Sequence, residues 1–310
     1  MKIFNYGDTI NENTVATIGM FDGVHRGHKL LIKRTIEIAE KKDAMPLVYT
    51  FFNHPVKERK RKFITLLEEK LFLMEKIGVK FVYLVELNDD FMHLSPEAFF
   101  KEEIVKRIHA KGIVIGEDFR FGCERKGDVV YMKKLAEPSH IEVYSVPLLR
   151  LNSKIVSSSL IHNFIVSGDM ENANNALGYA FFLTGSVVKG KGIGRLLGFP
   201  TANILYKNGN KVLPHTGIYV TVAETDGKLF RSITNVGFNP TFENNNKVKV
   251  EIHFIGVKKD LYGANVRLYF LQKIRDEKKF ATPELLVQQI HRDVEKAKIY
   301  FRLHNFKKYI

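Results

Sequence analysis

The sequence predicts an α/β domain with a mostly parallel sheet, followed by an all-β domain that ends in a helix. The chain of 310 residues exceeds the usual size of a single domain, so two domains are expected. Strand-like and helix-like segments alternate in the first part, whereas after about Gly178 short strand-like segments follow one another between Gly, Asn and Pro clusters. We therefore predict domains at residues 1–180 and 181–310.

Apolar runs and helical spacing define the elements of the first domain. Helices are predicted at residues 29–41 and 66–77, and a third begins with the cap Ser95 and Pro96 and runs to about Ala110. Because helices separate the strands, the sheet should be parallel, with its ligand beyond the carboxyl ends of the strands. The predicted strands are residues 14–18, 46–51, 79–85, 112–116 and 141–146.

The second domain is predicted as an antiparallel sandwich or barrel, because no helical pattern separates its strand-like segments. Its last segment, residues 282–301, is predicted as an amphipathic helix capped by Thr282. The predicted strands are residues 182–188, 217–222, 230–236, 248–255 and 266–271.

Composition and charge narrow the class of protein. One cysteine excludes an internal disulfide framework and fits a reducing compartment. The N-terminus has no signal-peptide pattern, and no apolar run approaches the roughly 18 residues of a membrane span. We therefore expect a cytoplasmic protein. The net charge of +14 and the basic run at residues 57–62 fit a solvated basic surface, with nucleic-acid binding as the second option.

A glycine-rich segment with two histidines, residues 19–28, lies where a predicted strand turns into a helix. Such a turn presents free backbone N–H groups and a positive dipole end, which suit a phosphate. His25 and His28, in the first helical turn, can each donate a hydrogen bond to phosphate oxygens. The alternatives are a tight turn with partly exposed histidines or a fragment of a metal site. No third ligand lies nearby, which argues against zinc.

This segment resembles the (G)xFDGxHxGH signature of the nucleotidylyltransferase superfamily, and residues 21–28 match its FDGxHxGH form completely. The resemblance implies that His25 and His28 act in catalysis. It also implies nucleotide binding by Gly19, Phe21, Asp22, Gly23 and Gly27.

A second motif opens the all-β region. Residues 185–203 resemble the GxxxGRxLGFPTAN signature of riboflavin kinases, and further matching pieces follow in the family's order up to residue 280. Residues 185–192 nearly spell a P-loop, but Gly192 stands where Ser or Thr should be and strand rather than helix surrounds it. A dinucleotide fingerprint at residues 190–194 lacks both a βαβ setting and a downstream acid.

Thr201 and Asn203 offer hard oxygen ligands suited to the magnesium that accompanies ATP. Two residues apart in extended chain, they point to the same side. Transfer of a phosphoryl group to a neutral hydroxyl benefits from a carboxylate that takes the proton, and by resemblance this is Glu251. Without the resemblance, the alternation of Glu251 with Val250 and Ile252 would favour a solvent-facing strand residue.

With both motifs in one chain, the sequence resembles the bacterial bifunctional riboflavin kinase/FAD synthetase family over nearly its whole length. The resemblance implies a Rossmann-like nucleotidyltransferase domain, then a riboflavin kinase Greek-key β-barrel with a terminal helix. It implies ATP-dependent phosphorylation of riboflavin to FMN and adenylylation of FMN to FAD, with Mg²⁺ as cofactor. Riboflavin, FMN, FAD and ATP are the implied partners.

Further site residues are implied by the same resemblance. Residues 116–122 resemble the GxNFRFG segment and residues 156–161 the (V/I)SSTxIR segment, both near the nucleotide in the family. The implied flavin-binding residues are Phe51, His54, Arg275 and Glu277. The remaining implied nucleotide-binding residues are Asp118, Ser158, Ser159, His162, Gly190, Gly194, Arg195, Gly198 and Pro200.

The sequence departs from the family's pattern at three places. Asp118 replaces an asparagine, Phe52 and Asn53 alter the middle of the TFxPHP segment, and His162 stands in the position of an arginine. A kinase with an adenylylation domain that is weakened or inactive is therefore the first alternative function. A flavin- or nucleotide-responsive RNA-binding regulator, motivated by the positive charge, is the second.

Overall fold

The computed structural model describes residues 1–54, 62–189, 198–206, 210–238, 248–257 and 261–310. The chain divides into two compact units, Met1–Ser158 and Ser159–Ile310.

A six-stranded parallel sheet forms the centre of the first unit, as predicted. Its strands run in the order β1-β4-β3-β2-β5-β6, and every pair is parallel. The edge strand β1 escaped prediction because it is short and mostly exposed. The strands are β1 (Lys2–Asn5), β2 (Thr14–Ile18), β3 (Met45–Phe51), β4 (Phe81–Val85), β5 (Ala110–Gly116) and β6 (Glu142–Val146).

Helices connect these strands. The helix predicted from Pro96 changes to π-helical geometry at Phe100 and ends at Arg107. There Glu103 is buried, and its carboxylate accepts the Tyr49 hydroxyl at 3.0 Å and the Arg107 Nε–H at 2.9 Å. The helices are α1 (Arg26–Lys41), α2 (Leu67–Lys76), α3 (Asp89–Met92), α4 (Pro96–Phe99) and α5 (Val129–Ala136).

A small hairpin, β7 (Arg150–Leu151) and β8 (Lys154–Ile155), precedes two helices, α6 (Ser158–Ser167) and α7 (Met170–Leu177). The buried Asn174 of α7 donates to the Phe270 carbonyl at 2.8 Å and accepts the Phe181 N–H at 2.8 Å. These bonds explain why α7, which precedes the predicted boundary at 180/181, belongs to the second compact unit.

The all-β region is a closed barrel rather than a sandwich. Six antiparallel strands close in the order β10-β13-β12-β11-β14-β9. The neighbours β14-β11-β12-β13 have the 4-1-2-3 order of a Greek key. The strands are β9 (Phe182–Lys189), β10 (Ala202–Tyr206), β11 (Gly217–Thr225), β12 (Lys228–Phe238), β13 (Val248–Phe254) and β14 (Asn265–Arg275).

The terminal helix α8 (Pro283–Leu303) begins behind Thr282, whose hydroxyl accepts the Leu285 N–H at 3.4 Å. Its buried residues include Val294, Ala297 and Phe301. Within the described part of the chain, no helix is long and apolar enough to cross a membrane.

Candidate active sites

The parallel sheet has a switch point beside β2. From β2 the chain continues to β3 and β4 on one side, whereas β5 and β6 lie on the other. At such a switch point the connecting helices leave for opposite faces of the sheet, so the ligand is expected at the carboxyl ends of β2 and β5. The turn after β2 carries the predicted phosphate segment, and the turn after β5 carries Asp118.

The turn between β2 and α1 has an unusual backbone. Phe21, Gly23 and Val24 have φ values of +48°, +82° and +36°. Glycine adopts this left-handed region without steric cost, which explains Gly23. A Cβ atom on residue 27 would lie 3.2 Å from the His25 ring, so Gly27 leaves room for that ring. Gly19 packs against the Phe21 ring, since a Cβ there would lie 3.4 Å from it.

His25 caps α1 with its side chain. Its Nδ1 accepts the His28 N–H at 3.3 Å, and the two imidazole rings stack at 3.5 Å between centroids. Because Nδ1 accepts, the proton of the neutral His25 ring is on Nε2. His28 Nδ1 is buried and has no hydrogen-bond partner among the described residues. Such an atom is available for a polar ligand group.

Both histidines are uncharged at neutral pH. Burial lowers the pKa of His25 to about 4, with a smaller contribution from Lys29. Burial also lowers the pKa of His28 well below its usual value, helped by His25 and Lys70. Neutral imidazoles interact with anions as hydrogen-bond donors rather than as cations.

The buried neutral His25 predicts an acid-sensitive fold. Above pH 6.5 the imidazole is neutral in both states, but between pH 6.5 and 4 only the unfolded chain binds the proton, so stability falls as pH falls. His25→Asn keeps an N-cap acceptor and removes this titration. Between pH 7 and 4 we expect the free energy of unfolding of the wild type to fall by about 3 kcal/mol more than that of the variant. Urea unfolding followed by circular dichroism measures the difference; equal losses would contradict a neutral His25.

Asp22 anchors the turn from within. Its carboxylate accepts the N–H groups of Ile64 and Thr65, each at 3.0 Å, and it is only 4% exposed. The Thr65 hydroxyl in turn accepts the Gly23 N–H at 2.9 Å. The Asp22 carbonyl accepts the Ser158 hydroxyl at 2.9 Å. Asp22 and Ser158, both predicted to bind nucleotide, thus fix the shape of the turn.

Lys70 is a buried cation beneath this turn that was not among the predicted site residues. It is 1% exposed, and its Nζ donates to the carbonyls of Met20 at 2.9 Å and Phe51 at 2.6 Å. Burial lowers its pKa to about 8, against the attraction of Asp22. The helical spacing of Lys70 with Leu73 and Met74, which places it on the apolar face of α2, is the feature of the sequence that could have indicated its burial.

The predicted flavin-binding residues of the first unit lie at the end of β3 and just after it. Phe51 is buried and meets Phe91 edge to face, with centroids 5.6 Å apart. His54 is buried and stacks on Phe63 at 3.7 Å. The substituted Asn53 exchanges two hydrogen bonds with the backbone of Leu87, at 2.7 and 3.1 Å. Asn53 thereby ties the end of β3 to the segment after β4.

Three further predicted residues come from the turn after β5 and from α6. Asp118 is exposed in the turn after β5, next to Gly116. Ser159, which is exposed, and His162, which is partly buried, lie on α6 and belong to the second unit.

On the barrel, strand pairing brings Asn203 and Glu251 together. Asn203 of β10 is directly opposite Glu251 of β13. The Glu251 side chain is 31% exposed and accepts the Lys249 ammonium at 2.6 Å. The Asn203 Oδ1 is buried and has no hydrogen-bond partner among the described residues. An unpartnered amide oxygen beside a carboxylate fits a hard cation.

The segment before β10 is tied to β13. His253 Nδ1–H donates to the Pro200 carbonyl at 3.0 Å, and Thr201 follows directly, partly buried. Gly198 has φ +81°, which favours glycine. The predicted nucleotide-binding residues Gly190, Gly194 and Arg195 lie outside the described residues.

Arg275 and Glu277 lie at the end of β14. The Arg275 guanidinium donates to the Asp293 carboxylate of α8, from Nε at 2.9 Å and from its terminal nitrogen at 2.8 Å. The carboxylate of the exposed Glu277 lies over Gly237 of β12 and leaves no room for a Cβ atom there. Glu277 therefore comes next to the strand that pairs with β13, whereas Arg275 is held by α8.

The first unit has a turn suited to phosphate at the switch point of a parallel sheet. The second has a carboxylate beside an amide oxygen on a Greek-key barrel. Together these features define a two-domain transferase that uses nucleotides. A family model described as FAD synthetase matches residues 7–160, and one described as riboflavin kinase matches residues 177–301. The chain belongs to the family of bifunctional riboflavin kinase/FMN adenylyltransferases.

Individual relatives agree over nearly the full chain. The bifunctional riboflavin kinase/FMN adenylyltransferase of Listeria monocytogenes is 32% identical over 294 residues, which cover 93% of each chain. That of Bacillus subtilis is 33% identical over 299 residues, covering 93% of this chain and 92% of the relative. A crystal structure reported as a macrolide-efflux protein from Streptococcus pneumoniae has a TM-score of 0.88 at 28% identity, covering 96% of this chain and 98% of the other.

Proposed function

We propose that this chain phosphorylates riboflavin to FMN with ATP and then adenylylates FMN to FAD with release of pyrophosphate. The observation that carries the proposal is that one chain contains two separate groups of side chains whose chemistry suits phosphate transfer. One is the His25–His28 turn at the switch point of the sheet, and the other is the paired Asn203 and Glu251 on the barrel.

In the kinase step, Glu251 takes the proton of the primary hydroxyl of riboflavin as the hydroxyl oxygen attacks the γ-phosphorus of ATP. The P–O bond to the β-phosphate breaks, and ADP leaves. Lys249 holds the Glu251 carboxylate in place through the 2.6 Å ion pair. Thr201 and Asn203 would hold a magnesium ion, whose charge neutralises the ATP phosphates; the buried, unpartnered Asn203 oxygen supports this.

The adenylyl step needs no protein base. The phosphate of FMN is already an anionic nucleophile, and its oxygen attacks the α-phosphorus of ATP while pyrophosphate leaves. Catalysis then consists of aligning two anions and stabilising their charge. Neutral His25 and His28 supply hydrogen bonds, the α1 N-terminus supplies its dipole, and the buried Lys70 supplies a full positive charge.

One incubation tests the proposal. The purified full chain is mixed with riboflavin, ATP and Mg²⁺, and the flavins are separated. FAD as final product supports both reactions, FMN alone points to a kinase with an inactive first domain, and unchanged riboflavin contradicts the proposal. An omission of Mg²⁺ tests the metal requirement. The single cysteine fits a reducing compartment, so we place these reactions in the cytoplasm.

The kinase-only alternative is motivated by His162 together with Asp118. An imidazole is mostly neutral at pH 8, whereas a guanidinium stays charged and binds phosphate with two donors. We therefore expect His162→Arg to raise the rate of FAD formation at pH 8 and to leave FMN formation unchanged. Flavin product analysis of both proteins measures this. Equal FAD rates would show that His162 suffices or does not contact the phosphates.

A further inference from the structure

Asn235 extends the polar row on the barrel by one strand. It lies in β12 directly opposite Glu251, which in turn lies opposite Asn203. Val250 and Ile252, the neighbours of Glu251 in β13, are buried. Since side chains alternate along a strand, the row of Asn203, Glu251 and Asn235 lies on the outer face of the barrel.

The side-chain oxygen of Asn235 lacks a donor. Its Oδ1 is buried, and none of the described residues donates a hydrogen bond to it. Asn203 Oδ1 on the far side of Glu251 is in the same state. A buried acceptor without a donor is unfavourable unless a ligand supplies one. In the proposed kinase reaction, the cation that accompanies ATP and the hydroxyl groups of riboflavin are two groups that satisfy such an oxygen.

Position separates these two possibilities. Adjacent strands are about 4.8 Å apart, so the backbones of Asn203 and Asn235 are roughly 10 Å apart, with Glu251 between them. A magnesium ion would be held by Asn203, on the opposite side of Glu251 from Asn235. On the Asn235 side lies Gly237 with Glu277 above it, the side predicted to hold the flavin.

We infer that Asn235 Oδ1 accepts a hydrogen bond from a secondary hydroxyl of the ribityl side chain of riboflavin. This inference rests on the proposed kinase function. The bond holds the polyhydroxyl chain along β12 so that its terminal primary hydroxyl reaches Glu251. Asn235 is then a substrate-binding residue of the acceptor side, and Asn203 belongs to the donor side.

The test uses the full-length Asn235→Ala variant. We expect the KM for riboflavin to rise about tenfold, which corresponds to the loss of one hydrogen bond. The KM for ATP, the Mg²⁺ dependence and FAD formation from supplied FMN should stay within twofold of the wild type. Asn265→Ala is the matched control, because Asn265 is an exposed barrel residue whose Oδ1 accepts the Ser186 hydroxyl at 2.9 Å.

Riboflavin analogues that lack one secondary hydroxyl identify the donor. With one analogue, the KM of the wild type should rise by the same factor by which Asn235→Ala raises the KM for riboflavin. With that analogue, the variant should show no further rise in KM. Three results would overturn the inference: for every analogue, effects of the substitution and of the missing hydroxyl on KM that multiply; an unchanged riboflavin KM in the variant; or a raised Mg²⁺ requirement. If the wild type formed no FMN, the proposed function would fail, and riboflavin binding measured by flavin fluorescence would still decide the role of Asn235.

Discussion

The Glu251→Gln variant is expected to form FMN about 10²–10⁴-fold more slowly than the wild type, the range that general-base catalysis contributes. A carboxamide has nearly the shape of the carboxylate but cannot take the proton of the attacking hydroxyl. It also loses the ion pair with Lys249. FAD formation from supplied FMN should be unchanged, because the adenylyl step belongs to the other compact unit. Separate assays with riboflavin and with FMN measure the two rates.

Glu224→Gln is the matched control for this experiment. Glu224 also lies on a barrel strand, is similarly exposed, and pairs with a cation, Arg267, at 2.8 Å. Its conversion to glutamine should leave FMN formation within about twofold. A Glu251→Gln variant with a wild-type rate of FMN formation would show that another group accepts the proton. A loss of both activities would indicate general misfolding instead.

The Lys70→Met variant is expected to lose FAD formation by about 10²-fold, with FMN formation unchanged. Removal of the ammonium leaves the carbonyls of Met20 and Phe51 buried without their donor, at about 1–3 kcal/mol each. Met20 lies in the turn after β2 and Phe51 ends β3, so the histidine turn and the Phe51–His54 segment would shift together. A displacement of about 1 Å can cost 10²-fold in rate.

A pH profile separates this role of Lys70 from a purely structural one. The pKa of Lys70 is about 8, and the groups that face it are Asp22 and His28 with the two carbonyls. As pH rises through 8 the ammonium loses its proton, so wild-type FAD formation should decline there while Lys70→Met shows no such decline. Lys76→Met, on the exposed side of the same helix, is the control. A decline of equal size in Lys70→Met would contradict the role.

Local patterns in the sequence were sufficient for most of the fold. Apolar runs predicted five of the six parallel strands and five of the six barrel strands. The reason is that a strand whose side chains are buried in a core needs apolar residues, whichever strand it pairs with. The missing β1 is a short, mostly exposed edge strand. The strand β10 was not predicted because Thr201 directly precedes it and Asn203 lies near its start, and these polar residues interrupt the apolar pattern. The sequence did not distinguish a barrel from a sandwich, because the barrel is closed by pairing between β9 and β14, two strands that are far apart in the sequence.

The candidate sites divide in the same way. The sequence by itself determined the glycine-rich turn with His25 and His28, because strand, turn and helix are contiguous there. Glu251 was predicted as the base through resemblance only, since alternation along a strand does not distinguish a base from a solvated carboxylate. Tertiary structure alone decided the burial that keeps both histidines neutral and the bonds that place Lys70 beneath them.

Strand register likewise decided that Asn203, Glu251 and Asn235 form one row. Register and burial arise from contacts between segments that are distant along the chain. A pattern confined to one segment records its own periodicity, but it contains no information on which segment becomes its neighbour. The turn at residues 19–28 could therefore be predicted from the sequence, whereas the polar row on the barrel and the burial of Lys70 could not.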